Sequence, residues 1–144
     1  MRSRRRVSVD CSNNLPPTTP PHADAPDGVF VVVPAYNEAP AIGAVLQELR
    51  AAYRHIVVVD DGSTDGTLET ARAYATFVLR HPINCGQGAA LQTGIEFALL
   101  HGAEYIVTFD ADGQHRIEDI AALLSTILRF KPKAGTGDVG TAPR

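Results

Sequence analysis

Four short runs rich in β-branched or aromatic residues, each followed by a segment with helical apolar spacing, restrict the fold more than any other feature of this chain. Val29 to Val33 precedes Ile42, Val45, Leu46 and Leu49, which fall at i, i+3, i+4 and i+7. Ile56 to Val59 precedes a helical segment running to about Ala75. Thr76 to Leu79 precedes a helix opening at Gly86-Gln87-Gly88, with Leu91, Ile95, Ala98 and Leu99 expected on its inner side. Tyr105 to Phe109 precedes Ile117 to Phe130, with Ile120, Leu124, Ile127 and Leu128 expected to face inward. The runs read as strands buried on both faces. Strands alternating with helices predict an α/β fold, a mainly parallel sheet with helices on both faces and right-handed crossovers. Asn37 is placed to cap the first helix, with Pro40 in its first turn, and Thr64 or Asp65 to cap the second.

The chain has 144 residues, which suits one domain, and a hydrophobic content of 44% is enough for a real core. Residues 1–27 read as a disordered tail, because Pro16, Pro17, Pro20, Pro21 and Pro26 break regular structure and few apolar residues accompany them. The folded domain is expected over 28–131 and an irregular Gly/Thr/Pro tail over 132–144. A net charge of −3 argues against a nucleic-acid partner. Arg2, Arg4, Arg5 and Arg6 are not backed by an apolar segment, so no secretory signal is expected. No apolar run nears the roughly 20 residues that span a bilayer. Cys11 and Cys85 read as free thiols of a reducing compartment.

In an open parallel sheet, ligands bind beyond the carboxyl ends of the strands, where the strand order reverses. Three such ends carry polar chemistry: Pro34-Ala35-Tyr36-Asn37-Glu38, then Asp60-Asp61-Gly62-Ser63-Thr64-Asp65-Gly66, then Asp110-Ala111-Asp112-Gly113-Gln114-His115. Parallel strands put all three on one rim of the sheet. Two hard anionic oxygens one residue apart can hold a divalent cation, and that cation can hold a diphosphate. A carboxylate accepts hydrogen bonds without donating any, which suits base N–H and ribose hydroxyl groups. Tyr36 offers a ring face with a polar tip. The loop Asn84-Cys85-Gly86-Gln87-Gly88 opens a helix whose N-terminus favours anions. His115 is read as solvent-facing, Cys85 as a packing residue, and His22, His55, His81 and His101 as lacking partners in a recognisable constellation.

Taken in order, VVVPAYNE, VVVDDGSTDGT, NCGQGAALQTGIEFAL and YIVTFDADGQH resemble the family 2 glycosyltransferases, in particular the polyprenyl-phosphate (dolichol-phosphate) mannosyl and glucosyl synthases. The resemblance covers Gly28 to Phe130. It implies a nucleotide-diphospho-sugar-binding, Rossmann-like domain. Pro34, Tyr36 and Glu38 would line the nucleoside pocket, and Asp61, together with Asp60, would read base or ribose. Asp110 and Asp112 would form the DXD pair that meets Mg²⁺ or Mn²⁺ and the diphosphate, with Asp112 the catalytic anchor and Gln114 beside the phosphates. The implied reaction transfers a sugar with inversion from a GDP- or UDP-linked donor to a polyprenyl-phosphate or glycan acceptor. Its expected place is the cytoplasm, at the cytoplasmic membrane face. Family members continue with a Gly-Ser-Arg-Phe-like segment that this sequence lacks, so the chain is expected to be a donor half, truncated before the acceptor half. The alternative is a catalytically incomplete remnant that binds nucleotide or a partner protein without turnover. A nucleotidyltransferase or an aspartate-nucleophile phosphatase fits less well. The Asp-x-Asp pair follows the fourth strand rather than the first, and Pro34 to Glu38 is not a glycine-rich basic loop.

Overall fold

The computed structural model describes residues 8–9, 26–114 and 116–130. Its elements in chain order are β1 (Ser8–Val9), β2 (Val29–Ala35), α1 (Ala39–Ala52), β3 (His55–Asp60), α2 (Thr67–Tyr74), β4 (Phe77–Arg80), α3 (Gln87–Leu100), β5 (Tyr105–Thr108) and α4 (Ile117–Phe130). The sheet order is β1-β4-β3-β2-β5. Strands β2 to β5 pair in parallel, with Val31 opposite both Ile56 and Val107. The order runs outward in one direction from β2 through β3 to β4, and in the other direction to β5. The reversal point therefore lies between β2 and β5.

The expected tail needs one correction. Ser8 and Val9 add a short antiparallel edge to β4, with Ser8 opposite Arg80 and Val9 opposite Leu79. A β-branched residue and free backbone groups are enough to pair with the exposed edge that β4 would otherwise present. The rest of the expected N-terminal tail up to residue 25, and the C-terminal tail, lie outside the described residues.

Period-two alternation along the strands splits the core into two layers. Val29, Val31, Val33, Ile56 and Val58 pack with Ile42, Leu46 and Leu49 of α1, Leu68 and Ala71 of α2, and Ile120 and Leu124 of α4. Phe30, Val32, Val57, Val59 and Leu79 pack on the other face against Ala90 and Ala98 of α3. Every residue of β2 is buried, as its central position requires.

Helix α3 departs from the expected facing. Its buried stripe is Ala90, Gly94 and Ala98, whereas Leu99 is 60% exposed. The cause is close approach: a Cβ on Gly94 would stand 2.3 Å from Val32 Cγ1 and 3.1 Å from Val59 Cγ2. Small residues let the helix axis sit near the sheet; Leu91 packs at the margin of this core as expected, while Leu99 and Leu100 turn outward. On α4, Ile120 and Leu124 are buried, but Ile127 is 50% exposed and does not face inward.

Candidate functional site

The carboxyl ends of the strands converge on a cleft of about 460 Å³. Pro34, Ala35, Tyr36 and Glu38 line it from the end of β2, Asp61 from the end of β3, Asn84, Gly86, Gln87 and Ala90 from the β4–α3 loop and α3, and Asp110, Ala111 and Asp112 from the end of β5. Six of the eight residues singled out in the sequence thus share one cavity: Pro34, Tyr36, Glu38, Asp61, Asp110 and Asp112.

Asp60 and Gln114 do not line it. Asp60 ends β3 opposite Ala35 and Arg80 and is fully buried, with Arg80 Nε at 3.5 Å. Its carboxylate oxygens take no hydrogen bond among the described residues. Strand alternation turns Asp60 away from the direction that Asp61 takes after the strand has ended. Gln114 is exposed, and its backbone N–H donates to Asp112 Oδ1 at 3.0 Å. His115 lies outside the described residues.

Asp61 is held by three donors. Cys85 N–H reaches Oδ1 at 2.9 Å and Gly86 N–H reaches Oδ2 at 2.8 Å. His81 Nδ1 stands 2.6 Å from Oδ1. Burial pushes the Asp61 carboxyl up, but the bonds from Cys85, His81 and Gly86 outweigh it and hold the group below the usual carboxylate range. Gly86 has φ of 97°, a conformation in which its N–H turns toward Asp61 without a side-chain clash.

His81 corrects the reading that it has no partner. It is 2% exposed, and its Nε2 lies 2.8 Å from Thr93 Oγ1 on α3. The Thr93 hydroxyl in turn reaches Ala89 O at 3.0 Å. The ladder at the strand ends explains the placement. Asp61 N–H donates to Ala35 O and His81 N–H donates to Asp60 O, so each extends its sheet pairing by one residue. Position after β4 was the available signal, and the residue pairing across loops was not. Cys85 contributes its backbone to Asp61, while its Sγ is directed to Ile83 O at 3.4 Å.

Asp61, His81 and Cys85 offer ligand atoms within 4.8 Å of one another. The 2.6 Å spacing of His81 Nδ1 and Asp61 Oδ1 is that of a hydrogen bond. Ligands about 2.0–2.1 Å from a shared ion at tetrahedral angles stand about 3.3 Å apart. The trio is therefore arranged as a hydrogen-bonded group.

The first two loops are cross-tied. Asn37 N–H donates to Ser63 Oγ at 2.9 Å, and Thr64 N–H donates to Asn37 Oδ1 at 2.9 Å. Asn37, with φ of 50°, thus serves the neighbouring loop instead of capping α1. Asp65 takes that role for both helices: Oδ2 accepts Ala39 N–H at 3.2 Å, and Oδ1 accepts Thr67 N–H at 2.9 Å. Thr67 Oγ1 accepts Glu38 N–H at 2.9 Å and donates its own proton to Asp65. The Thr67 hydroxyl, foremost, and the backbone donors hold the Asp65 carboxyl below its ordinary range.

Across the cleft, Gln87 Nε2 donates to Asp110 Oδ1 at 3.2 Å. Tyr36 is 45% exposed at the rim, a large aromatic surface open to a ligand. Glu38, Asp61, Asp110 and Asp112 bring four carboxylates to the cleft, and among the described residues neither Lys nor Arg lines it.

Residues 30–135 match the family model described as "Glycosyl transferase family 2". The chain belongs to that family. An uncharacterised protein of Methanocaldococcus jannaschii is 50% identical over 103 residues, covering 71% of this chain and 42% of that protein. The UDP-N-acetylglucosamine–dolichyl-phosphate N-acetylglucosaminyltransferase of Methanococcus voltae is 34% identical over 118 residues, covering 69% and 47%. The polyprenol monophosphomannose synthase of Mycolicibacterium smegmatis is 34% identical over 106 residues, covering 68% and 40%. The family 2 chain therefore spans less than half the length of these relatives. Among solved structures, mannosyl-3-phosphoglycerate synthase from Rubrobacter xylanophilus superposes with a TM-score of 0.56 at 23% identity, over 72% of this chain and 36% of that one. At that identity the likeness shows a shared α/β fold. No helix among the described residues is long and apolar enough to cross a membrane.

Proposed function

We propose that the cleft binds the nucleoside diphosphate of a sugar donor together with Mg²⁺ or Mn²⁺, as the donor half of an inverting transferase acting on a polyprenyl-phosphate acceptor. The observation that carries this reading is the charge balance of the cleft: among the described residues, its lining holds four carboxylates and no basic side chain. Like charges about 5 Å apart repel by about 3 kcal/mol at an effective dielectric near 20. A diphosphate could not sit there unless a cation stood between. Asp110 and Asp112 present hard oxygens suited to a small divalent ion that also keeps water and phosphate ligands. When bound, such an ion neutralises charge that develops on the departing diphosphate.

The remaining roles belong to the protein. Tyr36 and Pro34 give apolar faces beside the nucleoside, and Asp61 offers an acceptor to its base. The N-terminus of α3, opening at Gln87 on the cleft, places a positive dipole end toward phosphate. Gln87 holds Asp110 in place. An acceptor phosphate is already an anion, so displacement at the sugar carbon rests on orientation more than on a general base. The names of the Methanococcus and Mycolicibacterium relatives support a lipid-phosphate acceptor, and with it work at a membrane surface. The family match over residues 30–135 supports a folded domain over 28–131.

Calorimetry with UDP and GDP, each with and without Mn²⁺, tests the proposal. Binding should need the cation, and Asp112→Asn should remove the cation-dependent part. Equal affinity without Mn²⁺ would defeat the metal role. Transfer of radiolabelled sugar to a polyprenyl phosphate separates an active donor half from the alternative, a chain that binds nucleotide without turnover.

A further inference from the structure

The hydrogen bonds on Asp61 carry the reading of the cleft as a nucleotide-sugar site one step further, to the kind of base it accepts. A carboxylate has roughly four lone-pair positions, two on each oxygen. On Oδ1, His81 Nδ1 at 2.6 Å and Cys85 N–H at 2.9 Å occupy both. On Oδ2, Gly86 N–H at 2.8 Å occupies one. Among the described residues, Asp61 is thus left with one acceptor position, on Oδ2. We propose that His81 is a positioning residue which, by saturating Asp61 Oδ1, makes the site select a base with a single imide N–H, of the uracil type, over guanine.

The chemistry of the two edges supplies the discrimination. Uracil presents one donor, N3–H, flanked by carbonyl acceptors. Guanine presents N1–H and N2–H side by side, a pair that matches a carboxylate only when both oxygens are open. With Oδ1 filled, one guanine donor would lie against a carboxylate oxygen with no acceptor position left, and a donor left without its partner loses more than a made bond gains. His81 keeps this arrangement because its ring is locked from behind. Thr93 Oγ1 meets Nε2 at 2.8 Å, and the ring is buried between the end of β4 and α3. Asp61 can accept from Nδ1 only if that nitrogen carries the proton, so the ring's proton placement is set by its two neighbours.

The test uses the chain as it stands, with Mn²⁺ present, and measures affinity for UDP, GDP and 3-methyl-UDP, the last lacking the imide proton. UDP should bind at least tenfold more tightly than GDP, and 3-methyl-UDP should lose at least tenfold against UDP. His81→Asn places an amide N–H near the position of Nδ1 and should keep the UDP preference. His81→Leu opens Oδ1 and should shrink the UDP-to-GDP ratio at least tenfold, whereas a merely structural role would weaken both nucleotides alike. If His81→Leu does not fold, the three-ligand comparison on the unaltered chain still decides. GDP binding as tightly as UDP, or 3-methyl-UDP binding unimpaired, overturns the inference and leaves the nucleotide site standing. Failure of every nucleotide to bind, with or without Mn²⁺, overturns the nucleotide site and this inference together.

Discussion

Replacing Gly94 by alanine probes a close helix–sheet contact. The new Cβ would stand 2.3 Å from Val32 Cγ1 and 3.1 Å from Val59 Cγ2. Carbon atoms at optimal separation are about 3.5–4.0 Å apart. Relief of the first contact alone therefore needs a shift of about 1.2 Å. Val32 is fully buried in the central strand, and Val59 is fully buried beside it. Neither can swing into solvent, so α3 must lift from the sheet. Overpacking of this kind costs about 1–3 kcal/mol. Alanine returns up to about 1 kcal/mol of helix propensity relative to glycine. A contact about 1.2 Å too close against two immobile side chains belongs in the upper part of the overpacking range, about 2–3 kcal/mol. The net expectation is therefore destabilisation by about 1–2 kcal/mol, read as a lower urea midpoint at unchanged slope. A double-mutant cycle isolates the cause. Val32→Ala alone should cost about 2 kcal/mol, but it removes the atom that clashes. In the Gly94→Ala background its cost should fall by at least about 1 kcal/mol. If Gly94→Ala were as stable as the parent, or the two changes simply added, the close-approach reasoning would be refuted.

Three further outcomes follow from contacts in and around the cleft. Asp61→Asn replaces one acceptor oxygen with an NH₂ group that must face either Gly86 N–H or the His81 and Cys85 donors; a loss of about 1–3 kcal/mol in chemical denaturation is expected, together with loss of nucleotide binding by calorimetry. Arg80→Ala removes the half-exposed cation beside the fully buried Asp60 carboxylate and should destabilise by less than the roughly 3–5 kcal/mol of a fully buried pair, with much of the loss recovered in the Asp60→Asn/Arg80→Ala pair. Asp65→Ala should lower Tm by uncapping α1 and α2 together. Because the folded Asp65 carboxyl lies below its ordinary range, its contribution is complete above the unfolded value and disappears as pH falls through the folded one. The Tm gap between parent and Asp65→Ala should therefore close on acidification, and a gap that widened toward low pH would contradict this sign.

How much of this was legible in the residues differs by element. The strand cores were, because β-branched runs such as Val29 to Val33 and Ile56 to Val59 fit a surface buried on both sides. The inner face of α3 was not. Apolar spacing points to Leu91, Ile95, Ala98 and Leu99. Ala98 is buried and Leu91 packs at the margin, but the contact runs through Ala90, Gly94 and Ala98, a stripe chosen for smallness rather than hydrophobicity, and Leu99 is exposed. The expectation that Asp60 joins Asp61 at the cleft missed period two: Val57 and Val59 share one face, Ile56 and Val58 the other, and Asp60 continues that alternation inside the strand. Asp65 was expected as a cap of the second helix, and its Oδ1 does accept Thr67 N–H, but its second bond and the partners of His81 were out of reach. Those partners, Ala39 for the first and Thr93 for the second, lie on other elements, and no local pattern announces a contact between separate segments.

The ties among Asn37, Ser63, Thr64 and Asp65 have a mechanical consequence. They weld the shelf bearing Tyr36 and Glu38 to the segment that follows β3, so these parts can travel only together. Asp61 is likewise pinned to the start of α3 through Cys85 and Gly86. Three walls of the cleft thus behave as one rigid cup. Asp110 is tied to the same cup through Gln87, so any adjustment to cargoes of different bulk falls to the stretch from Asp112 to Gln114.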